Sequence, residues 1–241
     1  MNLLKIFGIF IISSIISKGD PNDVVTDGLA IPISQKSVDL ICYYEIGGGQ
    51  REFEKYYSRP EVPAWRTTSS GVTVLIGYDV GQYSKERIYN DLNGLIKDED
   101  IKLLQSVAGM KGSNAYYNGL PKVKYKLKFT WDEALNVFKK RTLPSFTKDT
   151  ANAFALSYDR LHPHSNGALT SIVYNRGSSM SGDSRKEMRW IKYNISVNKE
   201  DRVPSDIKSM KRLWGPSLKG LWLRRDAEAK LFQEGLDSKT N

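Results

Sequence analysis

The 241 residues carry 36 Lys plus Arg against 27 Asp plus Glu, a formal net charge of +9. With 40% apolar and 26% charged residues, the chain is not a disordered segment, a collagen-like repeat or a polytopic membrane protein. One cysteine excludes an intrachain disulfide and a zinc site built from several Cys, and any His-based centre has only His162 and His164 to use.

Residues 3–17, LLKIFGIFIISSIIS, are apolar or small apart from Lys5. The run falls short of the about 20 residues of a membrane span and fits the apolar region of an export signal. Residues 1–19 are therefore expected to be a signal peptide, with an uncleaved anchor or a buried N-terminal helix as alternatives. Residues 20–36 are polar and contain Pro21, Gly28 and Pro32, which reads as a leader or linker. Residues 37–236 read as one domain, with no break clean enough for a second, and two lobes are an option within it. A basic exported protein favours anionic partners. The basic residues are nonetheless scattered over 122–128, 211–214 and 223–225, as on any solvated surface.

Most of the domain has helical periodicity. Ser37 is placed to cap a first helix ending near Glu45, with Val38, Ile41 and Cys42 on its apolar face. Ile88, Leu92 and Ile96 mark a second helix, and Ile101, Leu104 and Ala108 a third. Thr130 and Glu133 form a capping-box pattern ahead of Ala134, Leu135 and Phe138. Further helices are marked by Leu169, Ile172 and Val173, by Met188, Ile191 and Ile195, and by Ile207 and Met210 after Pro204. The last helix carries Leu223, Ala227 and Leu231 and is expected to end near Gly235.

Residues 47–82 differ. Gly47, Gly48 and Gly49 stop the first helix, and the β-like runs FEKYY (53–57) and GVTVLIGYD (71–79) follow. The expected class is α+β: mainly helical, with a small β-rich lobe after the first helix. A cleft between lobes would suit an extended substrate.

Glu45 lies seven residues after Val38, which places it on the apolar face and at a helix C-terminus. Desolvation and the helix dipole both raise a carboxyl pKa there, as a general acid needs. A helix-end Glu paired with an Arg is the equal alternative. In Ser70–Gly81, Thr73 and Asp79 are the polar members of an apolar, glycine-punctuated run. A hairpin with a turn Asp accounts for them without chemistry.

Glu45-Ile-Gly after an apolar helix, followed by Ser70-Gly-Val-Thr-x-x-Ile-Gly-Tyr-Asp-x-Gly81, resembles the pesticin-type muramidases, relatives of the phage-type lysozymes. Ala168-Leu-Thr-Ser-Ile-Val-Tyr-Asn-Arg-Gly177 is similar to a later helix of that family. Gly220-Leu-Trp-Leu-Arg-Arg-Asp-Ala-Glu-Ala-x-Leu-Phe232 is similar to its closing helix. The three matches run in order over residues 37–236.

The resemblance implies a lysozyme-like fold and hydrolysis of the β-1,4 bond between N-acetylmuramic acid and N-acetylglucosamine in peptidoglycan. It implies Glu45 as general acid, with Thr73 and Asp79 serving the nucleophilic water; an inverting reaction would place the carboxyls roughly 6.5–9.5 Å apart. Tyr78 and Trp65 are candidates to stack on sugar rings, with core packing as the alternative. Asn175 is implied to line the cleft, and Arg224 or Arg225 to pair with Glu45. The expected protein is a secreted or periplasmic monomer that needs no cofactor or metal and acts on bacterial peptidoglycan. Nucleic acid and stable membrane insertion after signal removal are not expected. Two departures from the family are Val74-Leu75, where an Ile-Gly pair is usual, and Arg66-Thr67-Thr68, where a Pro-Gly-Gly turn is common.

Other readings are weaker. Cys42, beside Ile41 on the apolar face, is an inert buried thiol rather than a nucleophile paired with a histidine. His162-Pro-His164 reads as a loop rather than a metal site. A non-catalytic wall-binding protein on the same scaffold remains the main alternative, and retained Glu45, Thr73 and Asp79 argue against it. A cationic membrane-disrupting protein is disfavoured because no helix is basic on one face and bulky aromatic on the other.

Overall fold

The computed structural model of the chain describes residues 23–63 and 69–238. The expected signal peptide, residues 1–19, lies outside the described residues, as do Trp65, Arg66, Thr67 and Thr68. The described chain is mainly helical with two small antiparallel sheets, an α+β arrangement.

Residues 24–34 are not a linker. Strand β1 (Val24–Val25) pairs antiparallel with β2 (Ile33–Ser34), Val24 opposite Ser34 and Val25 opposite Ile33. Leu29, Ile31 and Ile33 are buried, so the glycine and prolines shape a turn between apolar residues that join a core.

Helix α1 (Gln35–Ile46) begins two residues before its expected cap. Ser34, not Ser37, caps it: the Ser37 N–H donates to Ser34 Oγ at 3.2 Å, and the two hydroxyls lie 2.8 Å apart. Gly47, Gly48 and Gly49 all take positive φ and end the helix.

The FEKYY segment is helical rather than extended. Helix α2 (Gln50–Glu52) runs directly into a π-helical stretch, Phe53–Tyr57. Phe53 is buried with its ring centroid 5.6 Å from that of Trp131, Tyr57 four residues on is half-buried, and the residues between them face solvent. Aromatic residues favour strands only where a pleated surface receives them; here the core receives one per helical turn.

Strands β3 (Thr73–Val74) and β4 (Tyr78–Asp79) form the expected hairpin, but Asp79 stands in β4 and not in the turn. Then come α3 (Lys85–Leu92), capped by Ser84, and α4 (Asp98–Gln105). Helices α5 (Gly112–Asn114) and α6 (Leu120–Val123) flank the π-helical stretch Ala115–Gly119. Helix α7 (Trp131–Val137) has the expected capping box, with Glu133 N–H donating to Thr130 Oγ1 and Thr130 N–H to Glu133 Oε2. The remaining helices are α8 (Leu143–Phe154), α9 (Pro163–Arg176), α10 (Lys186–Ser196), α11 (Val203–Ser209) and α12 (Lys219–Asp237). Helix α12 ends at Asp237, two residues beyond Gly235 and close to its expected end. A Cβ on Gly235 would lie 2.3 Å from Ser165 Oγ, so the glycine serves close helix packing rather than termination.

The described chain forms two compact units, one of residues 45–142 and one of residues 23–44 with 143–238. In the second, α9 is central: every residue from His164 to Val173 is buried, as for a helix enclosed on all sides, and β2, α8 and α12 pack on it. In the first, the hairpin accompanies helices whose buried residues include Phe53, Ile88, Leu104 and Phe138. Its β content is smaller than the sequence suggests.

Candidate active site

The hairpin makes Thr73 and Asp79 directly opposed cross-strand partners. Thr73 spends its backbone groups on the other side. Its N–H donates to Glu61 O at 2.7 Å, and it accepts from Glu61 N–H at 3.0 Å. The Thr73–Asp79 pair is therefore a non-hydrogen-bonded one, the kind whose side chains approach most closely. Opposed residues in an antiparallel ladder share a face. Glu61, joined to Thr73 by an isolated antiparallel bridge at the edge of the hairpin, thus lies in one row with Thr73 and Asp79, each half-buried.

The turn of this hairpin, residues 75–77, explains one family departure. Leu75 takes φ 55° and Gly77 φ 73°. A left-handed leucine costs roughly 1–2 kcal/mol, and its burial to 3% exposure offsets that cost.

The Asp79 carboxylate is fully occupied by its own loop. Oδ1 accepts from Gly71 N–H at 3.0 Å and Gly81 N–H at 2.9 Å; Oδ2 accepts from Gly71 N–H at 3.2 Å and Gln82 Nε2 at 3.0 Å. Both glycines are obligatory. A Cβ on Gly71 would lie 2.4 Å from Gly81 Cα, and one on Gly81 would lie 2.4 Å from Met110 O. The glycine spacing of the motif thus encodes a backbone crossing. The Thr73 hydroxyl makes a long hydrogen bond, 3.4 Å, to Gly71 O.

Glu45 sits in the last turn of α1 and is exposed, which corrects the expected desolvation. The next residue, Ile46, 5% exposed, takes the inward position at the end of the helix instead. The Tyr57 hydroxyl feels this carboxylate. Burial raises its pKa most, followed by the negative charges of Glu61, Glu45 and Glu52. Tyr57 therefore lies within electrostatic reach of both Glu45 and the Glu61 end of the row.

Tyr78 is not an exposed platform for sugar. It is 6% exposed, donates its hydroxyl to Asp91 Oδ2 at 3.1 Å and stacks on Tyr83 at 5.0 Å between centroids. Burial, then Asp91, raises its pKa. Inward placement follows from its position opposite buried Val74.

Asn175 and Arg224 belong to the other compact unit. Asn175 is exposed near the end of α9, where its Oδ1 accepts from Arg225 Nη2 at 3.2 Å. Arg224 is 3% exposed; it donates to Glu228 Oε1 at 3.1 Å and to the Oγ and O of Ser171, each at 3.1 Å, and lies over the Tyr44 ring. Glu228, fully buried, also accepts from Arg225 Nη2 at 2.8 Å and Ser171 Oγ at 2.6 Å. Arg225 Nε lies 2.8 Å from Glu228 Oε2, an ion-pair distance out of hydrogen-bonding line. The two arginines of the closing motif thus neutralise a carboxylate one helical turn away.

His162 and His164 open α9 rather than forming a loop. His162 Nδ1 accepts from His164 N–H at 3.2 Å, and His164 Nδ1 lies 2.7 Å from Ser34 Oγ. Cys42 is buried, with no exposed surface. Among the described residues no cluster of His, Cys, Asp and Glu is arranged to hold a metal, and no helix is long and apolar enough to cross a membrane. An open groove of about 560 Å³, lined by residues including Gln50, Glu54, Lys128 and Trp131, holds none of the sequence-expected site residues.

Sequence reasoning does not single out Glu61. The available signal is Pro60 and Pro63 on either side of it, since prolines and the residues before them favour extended backbone. Comparison with curated proteins finds no match. The model of one family, described as a domain of unknown function (DUF8812), matches residues 41–140, a span that contains Glu45, Glu61, Thr73 and Asp79.

Proposed function

We propose that the protein is a muramidase on a lysozyme-like scaffold, cleaving the β-1,4 bond between N-acetylmuramic acid and N-acetylglucosamine in bacterial peptidoglycan. The observation that carries this reading is the opposed Thr73–Asp79 pair in the same compact unit as the solvent-facing Glu45. Glycoside hydrolysis needs an acid at the leaving oxygen and a carboxylate serving the opposite face of the sugar. Glu45, exposed at a helix end, is placed to meet a large polymer and protonate the leaving group. Thr73 and Asp79 shape the water side. The net charge of +9 suits an anionic wall, and an exported monomer fits such a substrate.

The test is release of reducing ends from purified peptidoglycan by the native protein and by Glu45→Gln. Loss of a general acid lowers turnover about 10²–10⁴-fold. Equal activity in the two proteins removes Glu45 from the mechanism. The second reading, a non-catalytic wall-binding protein, is favoured by the complete engagement of both Asp79 oxygens with their own loop. Co-sedimentation with the wall, without release of reducing ends, would select it.

A further inference from the structure

The occupied state of Asp79 raises the question of which carboxylate serves the water. Gly71, Gly81 and Gln82 hold both Asp79 oxygens in the loop, and a base so engaged has to give up a hydrogen bond to take a proton. Two positions across the same row lies Glu61, in backbone register with Thr73. Among the described residues no group donates a hydrogen bond to the Glu61 carboxylate. The Tyr57 hydroxyl feels the charges of both Glu61 and Glu45, so both carboxylates lie within electrostatic reach of Tyr57.

We propose that Glu61 is the catalytic base of this site, with Thr73 between it and Asp79 holding the water and Asp79 acting as the fastening of the hairpin. This rests on the muramidase reading. A water oxygen bonds to the anomeric carbon while one of its protons passes to Glu61. The glycosidic C–O bond breaks, and its oxygen takes the proton carried by Glu45. Solvent then returns the two carboxyls to their starting states. The Thr73 hydroxyl donates to Gly71 O, which leaves its lone pairs to accept from the water.

The surroundings of Glu61 fit a base. Burial raises its pKa above the ordinary 4.5, and Lys124 opposes the shift; a more basic carboxylate takes a water proton more readily. Among the described residues, the groups that face it include Tyr57 from the π-helical turn, Thr73 from β3 and Lys124 after α6.

The experiment measures reducing-end release against pH, with thermal unfolding, for the native protein, Glu45→Gln, Glu61→Gln and Glu61→Ala, the last with and without sodium azide. Glu61→Gln is expected to unfold at or above the native temperature at pH 7 and to lose about 10²–10⁴-fold in kcat with little change in KM. The acidic limb of the pH profile disappears with it. Azide, which attacks the anomeric carbon without needing a base, is expected to restore turnover to Glu61→Ala and form a glycosyl azide. This rescue is decisive even if Glu61→Gln folds poorly. Glu61→Gln active to within about twofold while Glu45→Gln is inactive overturns the proposal and leaves the muramidase reading standing. Folded Glu61→Ala that is inactive and not rescued by azide also overturns it. A native protein that releases no reducing ends overturns both.

Discussion

The Asp79 carboxylate receives the Gly71 N–H on both oxygens, at 3.0 and 3.2 Å, and so ties the end of β4 to the residue that leads into β3. The same carboxylate caps the following turn through Gly81 N–H. Asp79→Ala removes an acceptor from these donors, and hydrogen bonds to a charged group contribute about 1.5–3 kcal/mol. The expected outcome is a loss of that order in a denaturant unfolding curve. Asp79→Asn keeps one acceptor oxygen and is expected to lose less. Unchanged stability in Asp79→Ala would deny it the fastening role.

Gly71→Ala tests the backbone crossing. The new methyl would meet Gly81 Cα at 2.4 Å and Met110 O at 2.6 Å, both backbone atoms that cannot swing aside. Overpacking typically costs about 1–3 kcal/mol. A fall in thermal midpoint is expected, together with loss of whatever activity depends on the hairpin. Gly77→Ala strains only a surface turn and is expected to do less.

In the other compact unit, Glu228 takes two guanidiniums and a hydroxyl with no access to water. Removing one partner of a buried pair costs about 3–5 kcal/mol, because the remaining charges are left uncompensated. Glu228→Gln and Arg225→Met are each expected to lower the thermal midpoint strongly. The double change Arg225→Met with Glu228→Gln is expected to cost less than the sum of the two, which a double-mutant cycle measures.

His164 supplies a pH dependence. Burial lowers its pKa below 6.5, the neighbouring His162 and Lys36 push the same way, and Glu234 opposes them. The unfolded chain therefore binds a proton near pH 6.5 while the folded chain refuses it. The unfolded state then carries more protons, so stability falls as pH drops below 6.5. The Ser34 hydroxyl at 2.7 Å anchors the ring in place. Thermal midpoints between pH 7.5 and about pH 5 are expected to decline, and His164→Gln is expected to flatten that decline while costing stability at pH 7.5.

Local signals were legible in the chain by itself. The Thr130–Glu133 capping box, Pro204 in the first turn of α11, the three glycines that stop α1 and the apolar spacing of α9 and α10 all appear where the residues place them. Each acts through neighbours within a turn or two, so adjacent residues suffice to specify it. A hairpin within Ser70–Gly81 was legible for the same reason, but its register, which pairs Asp79 with Thr73 instead of leaving it in the turn, was not. Tertiary structure decided the rest. It made FEKYY helical by giving Phe53 the ring of Trp131 to pack on. It turned Tyr78 inward onto Asp91 and left Glu45 exposed at the end of its stripe. It also turned Asp79 into a fastening and placed Glu61 beside Thr73, across an interval that holds no periodic pattern. Burial and cross-strand register depend on which distant segments meet, and that information resides in no single stretch of the sequence.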